Sequence, residues 1–267
     1  MITERAPAKV NLLLHVGPRR EDGLHELCSL FATIDLADTV TVEQAAADEV
    51  ACEGVDGPNL AFAAIQRFRA GAAPDLPPLR VVIEKRIPVA AGLGGGSADA
   101  AAVLRAANEL AGRPLDADEL RALGAALGAD VPSQIEPRHA LVTGAGEGVE
   151  PVELPPMTLL LIPDEEGLST ADVYAHADTL GSTRTELEPD RVRELAATSL
   201  DELAGVLEND LEDAAVSLRP ELGGRMHALG AAGALAARVT GSGPTVFGVF
   251  PKGAAPKIDG TIRAEIE

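Results

Sequence analysis

Residues 88–108 read Pro-Val-Ala-Ala-Gly-Leu-Gly-Gly-Gly-Ser-Ala-Asp-Ala-Ala-Ala-Val-Leu-Arg-Ala-Ala-Asn, and no other stretch restricts the fold as strongly. Glycines at 92, 94, 95 and 96 give way at once to an alanine-rich run with apolar residues at helical spacing, and Ser97 at the junction is a good helix N-cap. The expected structure is a loop feeding a helix that opens at Ser97. Glycines let successive backbone N–H groups converge and let an anion approach the main chain. A helix N-terminus adds unpaired N–H groups and the positive end of its dipole. Phosphate suits such a place, although a tight loop that packs a helix against a strand satisfies the same pattern. Neither a Walker A ending in Gly-Lys-Ser/Thr nor a Gly-x-Gly-x-x-Gly dinucleotide turn fits, and residues 79–87 just upstream read as a strand.

Charge narrows the partners. Lys and Arg number 22 against 42 Asp and Glu, a net charge of −20, which argues against nucleic acid or an anionic membrane surface as partner. An anionic ligand is then held by local groups, because salt screens the global field over about 8 Å. No apolar run is long enough to span a bilayer and the N-terminus lacks a signal-peptide pattern, so the chain is expected to be cytoplasmic. Cys28 and Cys52 are too few for a disulfide framework and read as buried thiols, and the five histidines are scattered, so no transition-metal site is written here. With 2% aromatic residues, no Trp and one Tyr, base-stacking candidates are few.

In chain order, residues 6–16 read as a strand with Lys9 and Asn11 on one face. A lysine in an apolar strand either snorkels to solvent or meets an anion. A loop over 17–27 and a second strand over 31–43 follow. Residues 58–73 form a helix by periodicity, with Ala61, Ala64, Ile65 and Phe68 on its inner face. A further helix over 116–127 opens on acidic residues and runs into Gly128-Ala-Asp-Val-Pro132, where Asp130 is either a turn or capping residue or a functional carboxylate. Gly144-Ala-Gly-Glu147 fits a hairpin turn. Prolines around 151–156 mark a boundary between domains 1–155 and 156–267. A short strand over 157–163 precedes Ser169-Thr-Ala-Asp172, a capping box for a helix containing Tyr174. Helices continue to about residue 232, including Glu208-Asn-Asp-Leu-Glu212, and strands over 235–240 and 245–250 flank Gly241-Ser-Gly-Pro244.

These strings together resemble the GHMP kinases, the family of galactokinase, homoserine kinase, mevalonate kinase and phosphomevalonate kinase. Pro-x-Ala-Ala-Gly-Leu-Gly-Gly-Gly-Ser-Ala-Asp-Ala-Ala is similar to the family's ATP-binding motif. Its triple glycine, with Ala-Pro-Ala-Lys-Val-Asn at residues 6–11 and Asp-Gly-x-His-Glu-Leu at 22–27, resembles the branch that acts on a cytidine diphosphate-linked methylerythritol in the non-mevalonate isoprenoid pathway. The resemblance covers nearly the whole chain. It implies an α/β (α+β) two-domain GHMP kinase fold, with a ribosomal protein S5-like N-terminal domain containing a left-handed crossover and a ferredoxin-like C-terminal domain.

The same resemblance implies transfer of the ATP γ-phosphoryl group, with Mg²⁺, to the 2-hydroxyl of that small molecule. Asp130 takes the hydroxyl proton, and Lys9 holds that carboxylate ionised and stabilises the transition-state charge. Nucleotide contacts fall on Pro88, Val89, Ala90, Ala91, Gly92, Leu93, Gly94, Gly95, Gly96, Ser97, Ala98, Gly241, Ser242 and Gly243. Substrate contacts fall on Asn11, Leu24, His25, Thr170 and Tyr174; the Mg²⁺ ligands stay unassigned. Two departures stand out. Leu24 occupies the place of the family's cytosine-stacking tyrosine, and Ser133 and Gln134 replace its usual apolar or aromatic pair after Pro132. Two further readings remain open: a GHMP kinase for another small alcohol, such as homoserine or a mevalonate derivative, and a non-catalytic ligand-binding relative. No interface is legible, and the chain is taken as a monomer or weak homodimer.

Overall fold

The computed structural model describes residues 1–55, 59–164 and 166–266. The chain runs β1 (Ile2–Arg19), β2 (His25–Gln44), β3 (Glu49–Cys52), α1 (Leu60–Gly71), β4 (Leu79–Glu84), α2 (Gly95–Leu110), α3 (Ala117–Ala125), α4 (Val131–Ile135), β5 (Ala140–Gly144) and β6 (Gly148–Pro151). It continues with β7 (Met157–Ile162), α5 (Thr170–Leu180), α6 (Pro189–Ala196), α7 (Leu200–Val206), α8 (Glu212–Leu218), α9 (Glu221–Ala231), β8 (Ala236–Val239), β9 (Val246–Pro251) and β10 (Ile262–Ile266). These elements fall into two compact units. The first comprises residues 1–8, 36–89 and 94–138, the second residues 9–35, 90–93 and 139–267.

In the first unit β4 pairs parallel with β3 and antiparallel with the second half of β2. Its helices cover a core in which Val40, Val42, Val81 and Ile83 of the strands join Ala64, Ile65 and Phe68 of α1 and Val103 and Leu104 of α2. The inner face read from α1's periodicity is its buried face: Ala61, Ala64, Ile65 and Phe68. Asn59 caps that helix by accepting the Ala61 N–H; the expected start, Pro58, lies outside the described residues. Helix α2 is buried along Ala98, Ala100, Ala101, Ala102, Ala106 and Ala107, small side chains that permit close packing of neighbouring backbones.

In the second unit the first half of β2 pairs antiparallel with β5, which forms a hairpin with β6. A separate antiparallel sheet has the order β10-β7-β9-β8, and Leu160, Val239, Val246 and Phe250 meet Val173, Ala177, Leu222 and Leu229 of its helices in a second core.

Several sequence expectations are corrected. Strands β1 and β2 extend beyond 6–16 and 31–43, so the loop expected over 17–27 shrinks to residues 20–24. The extension of β2 rests on pairing of Leu27–Phe31 with β5, a partner more than a hundred residues away that no local pattern reveals. Strand β4 stops at Glu84 because the N–H groups of Arg86 and Ile87 turn to the Asp38 carboxylate, at 2.6 and 2.8 Å. Helix α2 opens at Gly95, not Ser97: Gly94 takes the left-handed conformation, φ 71°, and turns the chain into the helix early, so Ser97 lies inside the first turn and caps nothing. β3, four residues long, is too short to announce itself, whereas β10, Ile262-Arg-Ala-Glu-Ile266, does alternate apolar and charged residues, a strand signal that sequence reasoning missed. Cys28 is buried as expected, whereas Cys52 is only half-buried.

Candidate functional site

The second unit gathers several of the selected residues around Lys9. β1 places Lys9 and Asn11 on one face, as their spacing predicts, and Lys9 is 5% exposed, so it does not snorkel to solvent. Its Nζ donates to Asn11 Oδ1 at 2.7 Å and to Gly92 O at 3.5 Å, and lies 5.0 Å from the centroid of the Phe31 ring. Asn11 Nδ2 in turn donates to Ser29 Oγ at 2.9 Å, and the Asn11 N–H donates to Thr240 Oγ1 at 2.9 Å. The chain thus orients the amide that orients the lysine.

Two glycine loops meet beside it. A Cβ on Gly92, at φ +77°, would lie 2.5 Å from Gly243 O, and one on Gly241, at φ +58°, would lie 3.1 Å from Asn11 Oδ1 and 3.7 Å from Lys9 Nζ. Only glycine permits the first approach, and at Gly241 a side chain would need a strained backbone and a small shift of Asn11. Leu93 is buried and its carbonyl accepts the Lys9 N–H at 3.0 Å. Ala90 also holds a positive φ, 56°, unusual for a residue with a Cβ, which marks this loop as constrained from outside itself. Thr170 at the start of α5 exchanges a 2.9 Å hydrogen bond with Ser242 Oγ.

His25 and Tyr174 come together too, their rings 5.4 Å apart and tilted by 35°. His25 Nδ1 donates to Gly17 O at 3.0 Å, which leaves Nε2 toward Asp178, 3.4 Å away. Leu24 beside it is 54% exposed, an apolar face on the surface. Asp178, unselected from sequence, lies one helical turn beyond Tyr174 on α5, the only signal that could have found it.

In the first unit, Gly94, Gly95, Gly96 and Ser97 form the start of α2, where backbone N–H groups lack helical acceptors. A Cβ on Gly128 would lie 3.9 Å from Ser97 Oγ, so the Asp130 segment adjoins that helix start. Asp130 lies in a turn at the N-cap position of α4 and its carboxylate makes no capping bond, so of the structural readings the turn holds and the cap does not. Both residues of the second departure find places here: Ser133 Oγ donates to Asp130 O at 2.8 Å, and Gln134 is buried, its backbone carbonyl accepting from Arg105.

Sequence reasoning missed an ionic cluster beneath α2. Lys85 Nζ donates to Asp38 Oδ2 at 2.5 Å and to Asp99 Oδ2 at 2.9 Å. Asp99 is 3% exposed, its second oxygen has no hydrogen-bond partner, and burial, with Asp38 nearby, pushes its carboxyl up to about 6 despite Lys85. Burial works against the charge on Lys85, but the two carboxylates outweigh it and raise its pKa. The cluster ties the exit of β4 to the first turns of α2. An ammonium 2.9 Å from Asp99 makes this carboxylate a poor ligand for a second cation, so the donor set does not support it as a Mg²⁺ ligand. Phosphate oxygens, backbone N–H groups and a lysine, by contrast, suit one another.

Known proteins resemble this chain along most of its length. The family model described as GHMP kinases N terminal domain matches residues 59–136, and GHMP kinases C terminal matches residues 192–264. The 4-diphosphocytidyl-2-C-methyl-D-erythritol kinase of Saccharopolyspora erythraea is 46% identical over 262 residues, spanning 91% of this chain and 81% of the relative. That of Kineococcus radiotolerans is 42% identical over 261 residues, spanning 92% and 80%. A crystal structure of 4-(cytidine 5'-diphospho)-2C-methyl-D-erythritol kinase matches with a TM-score of 0.77 at 36% identity, covering 94% of this chain and 91% of that one.

Proposed function

This chain belongs to the GHMP kinase family and has its two-domain fold, and from that premise we propose that it transfers the γ-phosphoryl group of ATP to the 2-hydroxyl of 4-diphosphocytidyl-2-C-methyl-D-erythritol. The observation that carries this reading is identity of 42% and 46%, over more than nine-tenths of the chain, to relatives named for that kinase. The loops support it: backbone packing that only glycine allows lies beside a buried lysine.

In this reading the N–H groups of residues 92–98 and of the 241–243 loop cradle the phosphates. Lys9, steered by Asn11, stabilises charge on the transferring group. Asp130 accepts the proton of the attacking hydroxyl, a role typically contributing about 10²- to 10⁴-fold. His25 holds the cytosine edge and Tyr174 one face of the ring; Leu24 covers the other without the stacking energy of an aromatic residue, about 1–3 kcal/mol. Thr170 sits by the polar part of the substrate. Mg²⁺ neutralises phosphate charge when bound. The 1–155 and 156–267 division is kept as a proposal: the family matches fall on either side of it, while residues 9–35 and 139–155 pack with the second compact unit. Among the described residues no helix is long and apolar enough to cross a membrane. A cytoplasmic location and a monomeric or weakly dimeric state are part of the proposal.

A coupled ADP-release assay with ATP and Mg²⁺ tests the reading, comparing the cytidyl alcohol with homoserine, mevalonate and phosphomevalonate. Turnover confined to the cytidyl alcohol is expected. Turnover on another alcohol would overturn the substrate and keep the family chemistry, and silence on all four with ATP still bound would favour a non-catalytic relative. Asp130→Asn should bind nucleotide normally and lose at least about 10²-fold in turnover; near-normal turnover would remove Asp130 as the base.

A further inference from the structure

The string Glu208-Asn-Asp-Leu-Glu212 has no part in the chemistry above, yet it is bonded at every residue but one through a polar side chain. Asn209 is 8% exposed and its carboxamide is fully engaged: Nδ2 donates to Val239 O and Gly241 O, each at 2.8 Å, and Oδ1 accepts the Leu211 N–H at 2.9 Å. Its neighbours grip β1. The Leu14 N–H donates to Glu208 O and the Asp210 N–H donates to Leu14 O, both at 2.9 Å, a parallel bridge centred on Asn209. The Val16 N–H donates to Asp210 Oδ2 at 2.9 Å, and Arg184 holds that carboxylate through two bonds of 2.7 and 2.9 Å. His15 Nε2 meets Glu208 Oε1 at 2.7 Å, and Glu212 Oε2 accepts the Val239 N–H at 2.8 Å.

One short segment therefore holds both the strand that carries Lys9 and Asn11 and the carbonyl of Gly241. The peptide group is planar, so a hydrogen bond that fixes Gly241 C=O also fixes the opposite direction of the Ser242 N–H in the same plane. Gly241, at φ +58° with Asn11 Oδ1 3.1 Å from where its Cβ would be, has no side chain of its own to fix its peptide, and the Gly243 N–H to Thr240 O bond at 2.9 Å closes the turn without engaging its carbonyl.

We infer that Asn209 is a positioning residue for phosphoryl transfer: by pinning the Gly241 carbonyl it aims the Ser242 N–H and sets the 241–243 loop in register with Lys9 and Asn11. The inference rests on the kinase reading, in which that loop binds nucleotide phosphate. A carboxamide suits the task because it offers two donors to two carbonyls and one acceptor to an N–H, a set that neither aspartate nor serine supplies.

The test is steady-state kinetics of the full chain with ATP and the cytidyl alcohol, on Asn209→Asp and Asn209→Ser, with folding checked by circular dichroism. Asn209→Asp keeps the size and the bond to Leu211 but turns carboxylate oxygen on two carbonyls. It should raise the KM for ATP about tenfold and lower kcat between about 10- and 10²-fold, leaving the KM for the alcohol within about threefold. Asn209→Ser, which adds no charge, should show the same split to a smaller extent. A kcat that falls only with the folded fraction, both KM values unchanged, would overturn the inference. So would failure of both variants to fold, since Asn209 would then support the unit as a whole. A wild-type chain that does not turn over would defeat the kinase reading and this inference with it, a different result from active wild type beside equally active variants.

Discussion

The two glycine loops are anchored by opposite chemistry. The first, running into α2, is tied down by one ammonium shared between two buried carboxylates, Lys85 with Asp38 and Asp99. The second, between β8 and β9, is held by the neutral carboxamide of Asn209. Buried ions keep their desolvation cost whether or not they are paired, so a charged anchor holds only while all its members are present. A carboxamide with every bond satisfied costs little to bury and enforces direction instead. The first anchor is thus exposed to loss of a partner and to pH, the second to loss of the right donor.

That contrast breaks most readily at Lys85. Lys85→Met strands two buried carboxylates and should cost about 3–5 kcal/mol in urea unfolding; a midpoint equal to wild type would show that charge does not hold the first loop. Next comes the place where the loops touch. Gly92→Ala must adopt a left-handed conformation, about 1–2 kcal/mol, before its methyl meets Gly243 O 2.5 Å away. Turnover in the ADP-release assay should drop at least about tenfold, and an unchanged rate would mean the loops are not interlocked in the working enzyme.

A subtler difference lies in pH. The Asp99 carboxyl is raised from 3.8 to about 6, so the folded chain holds this proton more tightly than the unfolded chain does. Its stabilising contribution is complete below about pH 3.8 and is lost as pH rises through about 6. Thermal midpoints of wild type and Asp99→Asn, compared at both ends of that window, should therefore shift in favour of Asp99→Asn as pH rises. A constant gap would contradict the assignment. The smallest effect has the opposite sign. Gly96 lies inside the first turn of α2, and a Cβ there would have its nearest neighbour at 3.8 Å, so Gly96→Ala should gain about 0.5–1 kcal/mol in unfolding free energy. A loss there would mean that all the glycines of the run are needed for backbone freedom.

What could be read from sequence followed local periodicity. The buried face of α1 and the shared face of Lys9 and Asn11 are set by periods of 3.6 and 2, so residue spacing alone reveals them. The strand, glycine loop and helix in succession were legible, but the start of the helix was not, because a serine cap and a left-handed glycine compete for the same turn and Gly94 prevailed. Long-range contacts stayed hidden. Asp38 and Lys85 are brought together by pairing of β2 with β4, and Asn209 reaches Gly241 across the second core; neither partner carries a sign of the other in its own neighbourhood. His25 and Tyr174 were each selectable through family resemblance, while their ring contact required the fold.

Gly92, Gly94, Gly241 and Gly243 all sit at positive φ. In the genetic code, every single-base change of a glycine codon that alters the residue without ending the chain brings in a side chain, so these four codons have no conservative neighbour. Mutational drift is turned away from this backbone, so variation around it is left to the surrounding side chains rather than to the loops themselves.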